Sequence, residues 1–376
     1  MFIKDIFYMD SIFEMEKEIS LKYNHTIENL SYWNPSKQYM DLMQQALVPQ
    51  SINHLFNYVY TYDIPITTRK EVVKKILGRY DDTQMCMFLP NSTLSILNVI
   101  NYLKLHGYNK IHILQPSYFS VEEACSALNM PTINIPMEYK NGEYNMNIDI
   151  SNINSKEALW ITSPIYSTNC LPSQEMVKFI NELTHHNIPV IVDESLNING
   201  YEILRKLNLN RSLFSIYSPH KSLFLNGFKF SAIICDKQND DFLEQWVDVL
   251  GGALPASSVK AIEHFLMPNF DLCKDQAKMW FYQNKRKIIE IIQRYPFAQI
   301  DTVNSIGSYL TVNIPNLPFD SLEFMKELIE QTFISFIPGF LNGNPNCSFR
   351  INLSLHQNTI VNGLNSILSF ISQHKF

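Results

Sequence analysis

Two reactive side chains stand just past short apolar segments in the middle of the chain. Lys221 lies beyond the segment Leu213–Tyr217, and Asp193 ends the apolar run that begins at Pro189. Because a charged lysine at a buried strand end is costly, it gains from forming a Schiff base with an aldehyde. The alternative is a lysine whose ammonium reaches solvent, which is the commoner arrangement for an isolated lysine.

Asp193 makes the hypothesis of a Schiff base on Lys221 more specific. In parallel α/β sheets, ligands bind at the carboxyl ends of the strands, and the two residues would lie at adjacent ends. A carboxylate there can pair with a protonated pyridine nitrogen, which keeps the ring cationic and makes it a better electron acceptor. Taken alone, Asp193 could equally cap a helix or bind magnesium. Together with Lys221 it favours a lysine-bound ring cofactor.

A turn upstream could hold a phosphate group. Asn91, Ser92 and Thr93 join the apolar segment Met85–Leu89 to a segment of helical spacing. Backbone N–H groups at a helix N-terminus bind phosphate, and hydroxyls beside them add hydrogen bonds. Simple capping by Asn91 or Ser92 is the commoner use of such residues, and the two roles are compatible.

Two further side chains could contact an aromatic ring and a carboxylate. Tyr118 lies past the apolar segment Ile111–Leu114. Its ring could lie flat on a planar cofactor, or Tyr118 could be an ordinary loop residue. Arg350 lies near the start of the apolar segment Ser348–Leu353. A guanidinium binds a carboxylate through two parallel hydrogen bonds, although a salt bridge at a strand edge would use the same residue type.

The apolar pattern between about residues 85 and 240 predicts a parallel sheet that would position these side chains. Short apolar segments bounded by polar residues or proline predict six buried strands: Met85–Leu89, Ile111–Leu114, Leu159–Thr162, Pro189–Val192, Leu213–Tyr217 and Ser231–Cys235. Ser92–Leu105 and Ser173–Leu183 have helical spacing. This alternation predicts an α/β fold with helices on both faces of the sheet.

The rest of the chain predicts a smaller α+β part. Asn141-Gly142 is a hairpin signal, and helical spacing from Ser258 to Tyr295 could link the sheet to the C-terminal third. The strands expected in that third are Tyr309–Ile314, Phe333–Ile337 and Ser348–Leu353. The expected helices are Leu322–Gln331 and Ile360–Ser372.

Composition and charge exclude several classes of protein. The chain has 376 residues, 46% of them hydrophobic, which is enough for a large core. A formal net charge of −6 without a basic stripe does not suit a nucleic-acid binder. Membrane-spanning and signal-peptide patterns are lacking, and the six cysteines are scattered. We therefore expect a cytoplasmic protein with reduced thiols, without a metal site and without nucleic-acid or membrane partners.

In order and spacing, these segments resemble the class I/II aminotransferases of pyridoxal 5'-phosphate (PLP) fold type I. The similarity runs from about Tyr60 to the C-terminus. It implies a large α/β domain with a mostly parallel sheet and a smaller α+β domain. The N-terminal arm and part of the small domain would comprise residues 1–45, the PLP-binding domain 46–285, and the C-terminal small domain 286–376.

The resemblance also implies a role for each candidate residue. Lys221 would bind PLP as a Schiff base and Asp193 would pair with the pyridine nitrogen, so that both are catalytic together with Tyr118, which would stack on the ring. Arg350 would bind the substrate α-carboxylate. The residues that hold the cofactor phosphate would be Asn91, Ser92, Thr93, Ser218 and Lys229, the last at a position where the family has an arginine, with Tyr62 reaching the phosphate bound by the other subunit.

One segment departs clearly from the family pattern. The family's N-P-x-N-P-T-G becomes Ser163-Pro164-Ile165-Tyr166-Ser167-Thr168-Asn169, so that Tyr166 stands where an asparagine bonds the cofactor's 3'-oxygen. Leu196 stands where a tyrosine commonly contacts the same oxygen. We expect the Tyr166 hydroxyl to take over this bond, with Asn169 as the other candidate. His220, before the lysine, is more typical of PLP decarboxylases.

The resemblance implies an aminotransferase that moves an amino group between an amino acid and a 2-oxo acid, and a homodimer with active sites at the subunit interface. The same fold and lysine also serve decarboxylases, β- or γ-lyases and cyclases. A third alternative is a binding protein that has the PLP fold and has lost catalysis. The joint presence of Lys221, Asp193 and Arg350 argues against it.

Overall fold

The computed structural model describes residues 2–31, 35–46, 58–59, 64–77, 83–140, 143–146, 152–168, 170–198, 206–208, 210–225, 229–252, 254–300, 307–343 and 347–373. Within these ranges, helices cover both faces of a central sheet, and two apolar cores lie on its two sides. The predicted α/β class is therefore confirmed.

Eight strands form the central sheet. They are β3 (Gln84–Leu89), β4 (Lys110–Gln115), β5 (Thr132–Lys140), β6 (Glu143–Met146), β7 (Glu157–Thr162), β8 (Val190–Asp193), β9 (Leu213–Tyr217) and β10 (Ser231–Asp236). Their spatial order is β3-β10-β9-β8-β7-β4-β5-β6. β9, β8, β7, β4 and β5 run parallel, β10 is antiparallel to both neighbours, and β6 is antiparallel to β5. β3 therefore ends at the same edge as β9.

Shorter strands lie outside this sheet: β1 (Glu28–Asn29), β2 (Tyr58–Val59), β11 (Leu254–Pro255), β12 (Gln299–Ile300), β13 (Tyr309–Asn313), β14 (Ile334–Ser335) and β15 (Ser348–Asn352). The helices are α1 (Phe2–Tyr23), α2 (Lys37–Ala46), α3 (Ile66–Leu77), α4 (Ser92–Leu105), α5 (Ser120–Ala127), α6 (Gln174–His185), α7 (Pro219–Ser222), α8 (Asp240–Trp246), α9 (Ala256–Ala261), α10 (Met267–Ile292), α11 (Leu322–Thr332) and α12 (Gln357–Gln373). None of these helices is both long and apolar enough to cross a bilayer.

The central strands are apolar throughout because alternate side chains enter different cores. On β7, Ala158 and Trp160 pack into the core that includes α4 and α5, while Leu159 and Ile161 pack into the core on the other face. All six residues of β7 are buried. Continuous apolar segments, rather than alternating ones, are what a strand covered on both faces requires.

The N-terminal segment packs on the C-terminal third. Helix α1 lies against α11, and β1 pairs in parallel with β14. Tyr8 donates a hydrogen bond of 2.6 Å to the Phe319 carbonyl. Glu16 accepts hydrogen bonds from Asn29 and Ser335. A small domain built from both ends of the chain would require such contacts, and its limits stay a prediction.

Two elements near the chain ends differ from expectation. Helix α1 is not predicted by the sequence, because charged residues interrupt its apolar run from the start. The strand expected over Phe333–Ile337 is limited to Ile334–Ser335. Phe333 has the left-handed conformation (φ 56°) that ends α11, so it cannot continue a strand.

Two other segments depart only in detail. The helical segment expected from Ser258 to Tyr295 begins in α9, passes through a π-helical turn at Ile262–Leu266 and ends as α10 at Ile292. The turn Asn141-Gly142 lies outside the described residues, although β5 and β6 pair in the antiparallel manner that the predicted hairpin requires.

A buried ion-pair cluster joins β4 and β7 at the edge where both strands begin. The Glu157 carboxylate accepts hydrogen bonds from Lys110 Nζ and from His112 Nε2, each 2.7 Å long. Burial works against the charged carboxylate, but the hydrogen bonds from these two side chains outweigh it and lower the pKa of Glu157 to about 2. The carboxylate is therefore ionised in the folded protein at neutral pH.

We expect Glu157→Gln to cost about 2 kcal/mol of unfolding free energy at pH 7, since it removes the buried carboxylate that accepts hydrogen bonds from Lys110 and His112. Because the pKa of Glu157 is lower in the folded than in the unfolded protein, its ionised carboxylate stabilises the fold at pH values above its ordinary pKa of 4.5. This contribution disappears as the pH falls toward 2. Denaturant titrations of both proteins at pH 7 and pH 3 should therefore differ less at pH 3. Glu290→Gln, at an exposed ion pair on α10, is the control and should cost under about 1 kcal/mol. An equal loss at both pH values would contradict the argument.

Candidate active site

The candidate residues of the parallel strands lie where β7, β8 and β9 end. Asp193, the last residue of β8, lies beside Thr162 on β7 and Ile216 on β9 in the sheet register. β9 continues through Ser218 into the short helix α7, which contains Lys221. The topology therefore brings Asp193 and Lys221 to one edge of the sheet.

Lys221 faces an aromatic ring. Its side chain is half-buried, and its Nζ lies 4.7 Å from the centre of the Tyr118 ring. The loop that carries Tyr118 is braced by Gln115, whose Oε1 accepts a hydrogen bond from Ser117 N (2.9 Å) and whose Nε2 donates one to Glu122 (2.7 Å). The amine thus lies next to a flat apolar surface whose position is fixed.

Asp193 is a carboxyl group in a strongly desolvated place. Its side chain is buried, and its Oδ1 accepts a hydrogen bond of 2.9 Å from Ser195 N. Burial raises the pKa of Asp193, and the hydrogen bonds of Ser195 and the charge of Lys221 offset this only in part. A cationic N–H partner would favour the ionised form, because charge-assisted hydrogen bonds are strong. The site therefore suits a protonated ring nitrogen.

Hydrogen-bonding groups without partners lie at the same edge. Ser218 Oγ is fully buried and has no hydrogen-bond partner in the part of the chain that the structure describes. A buried hydroxyl of this kind is costly unless a ligand or water satisfies it. At the start of α4, Asn91 Oδ1 accepts a hydrogen bond from Leu94 N (3.0 Å). This cap leaves the N–H groups of Ser92 and Thr93 at the open end of the helix.

Lys229 lies at the rim of this region. Its side chain is exposed, and the segment after it enters β10. The hydroxyls of Ser231, at the start of β10, and Ser95, in the first turn of α4, are 2.7 Å apart. This contact links the segment that follows Lys229 to the first turn of α4. Within the turn the Ser92 side chain is buried and the Thr93 side chain is exposed.

Arg350 is buried on β15 between groups from three other segments. Its Nη1 donates a hydrogen bond of 3.0 Å to the Tyr166 hydroxyl, and its Nη2 lies 3.5 Å from the Ser31 carbonyl. Its guanidinium lies 4.8 Å from the centre of the Tyr309 ring. Burial raises the pKa of Tyr166, and raises that of Tyr309 to about 12, although the Arg350 charge opposes both shifts. Both phenols therefore stay protonated at neutral pH.

The Tyr166 hydroxyl can serve two neighbours at once. A phenol has one O–H donor as well as lone pairs, and a guanidinium can only donate. Accepting the hydrogen bond from Arg350 therefore leaves the phenol's own proton for a second partner. The Tyr166 ring lies 5.6 Å from the Tyr118 ring, so Tyr166 lies between Arg350 and the ring that faces Lys221.

Ser31 and Tyr309 join the site without a signal in the sequence. Ser31 Oγ donates a hydrogen bond of 2.5 Å to the Arg350 carbonyl and accepts one of 2.9 Å from Ile337 N. Tyr309 begins a predicted strand, but its place beside Arg350 depends on the pairing of β13 with β15. Both residues become recognisable only when distant segments are folded together.

Some predicted contacts lie beyond what the structure describes. Tyr62 and Asn169 fall outside the described residues. Leu196 is half-buried and packs against the main core. In the described ranges, no group of three or more His, Cys, Asp or Glu side chains could hold a metal ion.

These groups fit PLP. Lys221 offers an amine for the aldehyde, buried Asp193 an acid for the ring nitrogen, and Tyr118 a face for the ring. The most specific observation is the Ser218 hydroxyl, which is fully buried, lacks a partner among the described residues and lies next to the lysine helix. A phosphate oxygen would satisfy it.

The fold is shared with known enzymes. No family model matches the chain, and no curated protein matches its sequence. Tyrosine aminotransferase from Leishmania infantum superposes with a TM-score of 0.74 at 13% identity, over 93% of each chain. YbdL from Escherichia coli, a methionine aminotransferase, gives 0.72 at 13% identity, over 95% of this chain and 97% of its own. A PLP-bound C-S lyase from Staphylococcus hominis gives 0.72 at 15% identity, over 91% of each chain.

The chain therefore has PLP fold type I, the fold of the class I/II aminotransferases, as the sequence pattern predicts. Since the same fold carries both aminotransferases and a C-S lyase at identities of 13% to 15%, the likeness does not choose a reaction.

In the ligand-free protein, Asp193→Asn should raise the melting temperature at pH 8. A folded-state pKa above the ordinary value means that charging the buried carboxyl costs stability as the pH rises, at about 1.4 kcal/mol for each unit of elevation. The gain should shrink as the pH falls below the ordinary value of 3.8 toward about 3, where the carboxyl is mostly protonated in both states. Differential scanning fluorimetry over this range tests it, with Asp275→Asn on the exposed face of α10 as the control. A loss of stability at pH 8 would contradict the direction.

Proposed function

We propose that this protein binds PLP as a Schiff base on Lys221 and acts as an aminotransferase, moving an amino group between an amino acid and a 2-oxo acid. The observation that carries the proposal is the position of Lys221, whose Nζ lies 4.7 Å from the Tyr118 ring and whose charge acts on buried Asp193. An amine, an acid and a flat ring around one space are the groups that this chemistry uses. Aminotransferases with the same fold support the choice.

The chain's own residues would divide the work as follows. PLP, when bound, supplies an electron sink that stabilises negative charge at the substrate Cα. Asp193 would hold the proton on the pyridine nitrogen, and Tyr118 would cover one face of the ring and keep water from it. The amine of Lys221 would act as the general acid–base group, which takes the proton from the substrate Cα and gives it up again.

Arg350 would bind the substrate α-carboxylate. Its guanidinium is buried and held from one side by the Tyr166 hydroxyl, so little conformational freedom would be lost on binding. A carboxylate fixed at this point sets which bond of Cα stands perpendicular to the ring, and that bond is the one that breaks.

The phosphate would be held at the other end of the site. Ser218 Oγ and the N–H groups of Ser92 and Thr93 would donate hydrogen bonds to it. Lys229 would add a positive charge from the rim, although as a point charge it lacks the two-pronged geometry of an arginine. Asn91 would act chiefly by capping the helix.

The resemblance to class I/II aminotransferases also leads us to infer a homodimer in which Tyr62 contacts the phosphate bound by the other subunit. On the same ground we infer a large PLP-binding domain at residues 46–285 and a small domain that combines residues 1–45 with 286–376. The contacts of α1 with α11 and of β1 with β14 support this division. We also infer a cytoplasmic location.

A lyase is the second candidate, because a PLP-bound C-S lyase shares the fold over 91% of this chain. The same lysine, acid and arginine could direct bond cleavage at the β- or γ-carbon, decarboxylation or cyclisation instead of amino transfer. A catalytically inactive binding protein is the third. The joint presence of Lys221, Asp193 and Arg350 argues against it.

The purified protein should be yellow, and borohydride should fix the coloured group on Lys221. Lys221→Ala should remove the borohydride-stable link and lower turnover at least about 10⁴-fold, the upper range for loss of a general acid–base group. Absorption spectra and peptide mass mapping test this. Lys229→Ala is the matched control and should keep the link while binding PLP more weakly.

A protein that stays colourless after addition of PLP would remove the enzyme proposal. For a coloured protein, the acceptor requirement separates the candidates. A spectrum that an amino acid bleaches and a 2-oxo acid restores indicates amino transfer. Continuous product release from an amino acid without any 2-oxo acid indicates a lyase, decarboxylase or cyclase.

Tyr166→Phe should raise the pKa at which the visible spectrum of the lysine-bound cofactor changes. The expected shift is about one to two units, since the Tyr166 O–H would no longer stabilise a negative 3'-oxygen with a hydrogen bond worth about 1.5–3 kcal/mol. A spectrophotometric pH titration measures it. Tyr8→Phe, whose hydroxyl bonds the Phe319 carbonyl near α1, is the control. An unchanged titration would rule out the Tyr166 contact and leave Asn169 as the candidate.

A further inference from the structure

A row of apolar side chains lies on the outer face of helix α10. Leu272, Met279 and Tyr282 are 49%, 54% and 63% exposed, respectively. Single exposed apolar residues are normal on a protein surface, but a contiguous row of them on one face marks a contact with another molecule. The outer face of α10 is therefore a candidate interaction surface.

The spacing of this face is that of a contact between two helices. Steps of three and four residues alternate along it through six positions, which we call the α10 seam: Leu272, Asp275, Met279, Tyr282, Arg286 and Ile289. This alternation keeps side chains in line on one side of a helix and is the pattern through which two helices pack. The seam is about 26 Å long, and α10 continues through it without a break.

The α10 seam points away from the proposed PLP site. The opposite face of α10 enters the main core through Phe281, whose ring centre lies 6.0 Å from that of Phe224. Phe224 N in turn donates a hydrogen bond of 3.3 Å to the Lys221 carbonyl. Two chains joined by their seams would therefore hold their lysines on the far sides of the contact. Such a contact differs from the interface at the active sites that the family resemblance implies.

The apolar residues of the seam match each other when two copies of α10 run antiparallel. A two-fold axis midway between Met279 and Tyr282 places each residue opposite the partner's residue at the same distance beyond the axis. Met279 then faces the partner's Tyr282, and Leu272 faces the partner's Ile289. Ile289 is half-buried, so it closes the end of the seam with part of its side chain. Every apolar residue of the seam thus meets an apolar residue.

The charges of the seam favour the same arrangement. The two-fold axis places Asp275 opposite the partner's Arg286, so that two ion pairs form between unlike charges. A parallel arrangement would instead set each charge against its own copy. The Arg286 side chain is 71% exposed, and its present contact with Glu290 is a surface pair on the same helix, which is weak enough to yield to a new partner. Charge complementarity therefore selects a second copy of this chain in antiparallel orientation.

We propose that two copies of this chain associate through their α10 seams as an antiparallel helix pair with two-fold symmetry. One helix pair is a small contact beside the about 1,600 Å² that a stable complex typically buries, so the association should be reversible and depend on concentration. The proposal goes beyond the proposed function and does not depend on it. If the chain also dimerises at the PLP site, the seam joins two such dimers into a tetramer.

Sedimentation velocity of the full-length, PLP-loaded protein over an about hundredfold range of concentration tests the proposal. We expect a reversible step that doubles the mass. Arg286→Asp should weaken this step at least about tenfold, because it sets two acids opposite each other. The double variant Asp275→Arg/Arg286→Asp regains unlike charges and should return the dissociation constant to within about threefold of the original. Lys326→Asp, an equal change of charge at an exposed site on α11, is the matched control and should leave the step unchanged.

A second pair of variants tests the apolar part of the seam. Tyr282→Ser should also weaken the step at least about tenfold, whereas Leu21→Ser, at an apolar residue of α1 that is 76% exposed, should not. Because all of the substituted side chains are exposed, the variants should keep their fold, and their melting temperatures verify this.

Restored association in the double variant supports the antiparallel seam, because only contacts between positions 275 and 286 regain their complementarity. Three results would overturn the proposal. They are a mass that does not change with concentration in the unsubstituted protein, a step that Arg286→Asp leaves unchanged, and a double variant that associates as weakly as Arg286→Asp.

Discussion

The rest of the site depends on the buried carboxyl group of Asp193. Removed from water at the end of a parallel strand, it has a raised pKa, and a cationic N–H group beside it would favour its ionised form. Lys221 approaches from the next strand and supplies part of that charge. The parallel order β7-β8-β9 brings these groups together, since it directs all three strand ends toward one edge of the sheet.

Arg350 depends on a different set of contacts. Its neighbours come from the N-terminal segment at Ser31, from the loop after β7 at Tyr166 and from β13 at Tyr309. A guanidinium surrounded by so many separate segments is fixed only when both ends of the chain have packed on the sheet. The Tyr166 phenol links the two halves of the site, because it accepts a hydrogen bond from Arg350 and lies beside Tyr118.

The two edges of the central sheet differ in how far their polar groups have hydrogen-bond partners. The edge where the strands end is lined with hydroxyl and N–H groups, some of which lack partners, and a ligand there would satisfy them. At the edge where they begin, the Glu157 carboxylate accepts hydrogen bonds from Lys110 and His112.

The sequence by itself determined the central strands and the helices α4 and α6, because a strand covered on both faces is a continuous apolar segment and a helix repeats with its own period. It also placed Asp193 and Lys221 at strand ends, where parallel strands meet. Only the tertiary structure decided the neighbours of Arg350, since the strand register that brings in Tyr309 and the chain path that brings in Ser31 have no local sequence signal. The left-handed Phe333, which shortens β14, was likewise fixed by packing rather than by residue type.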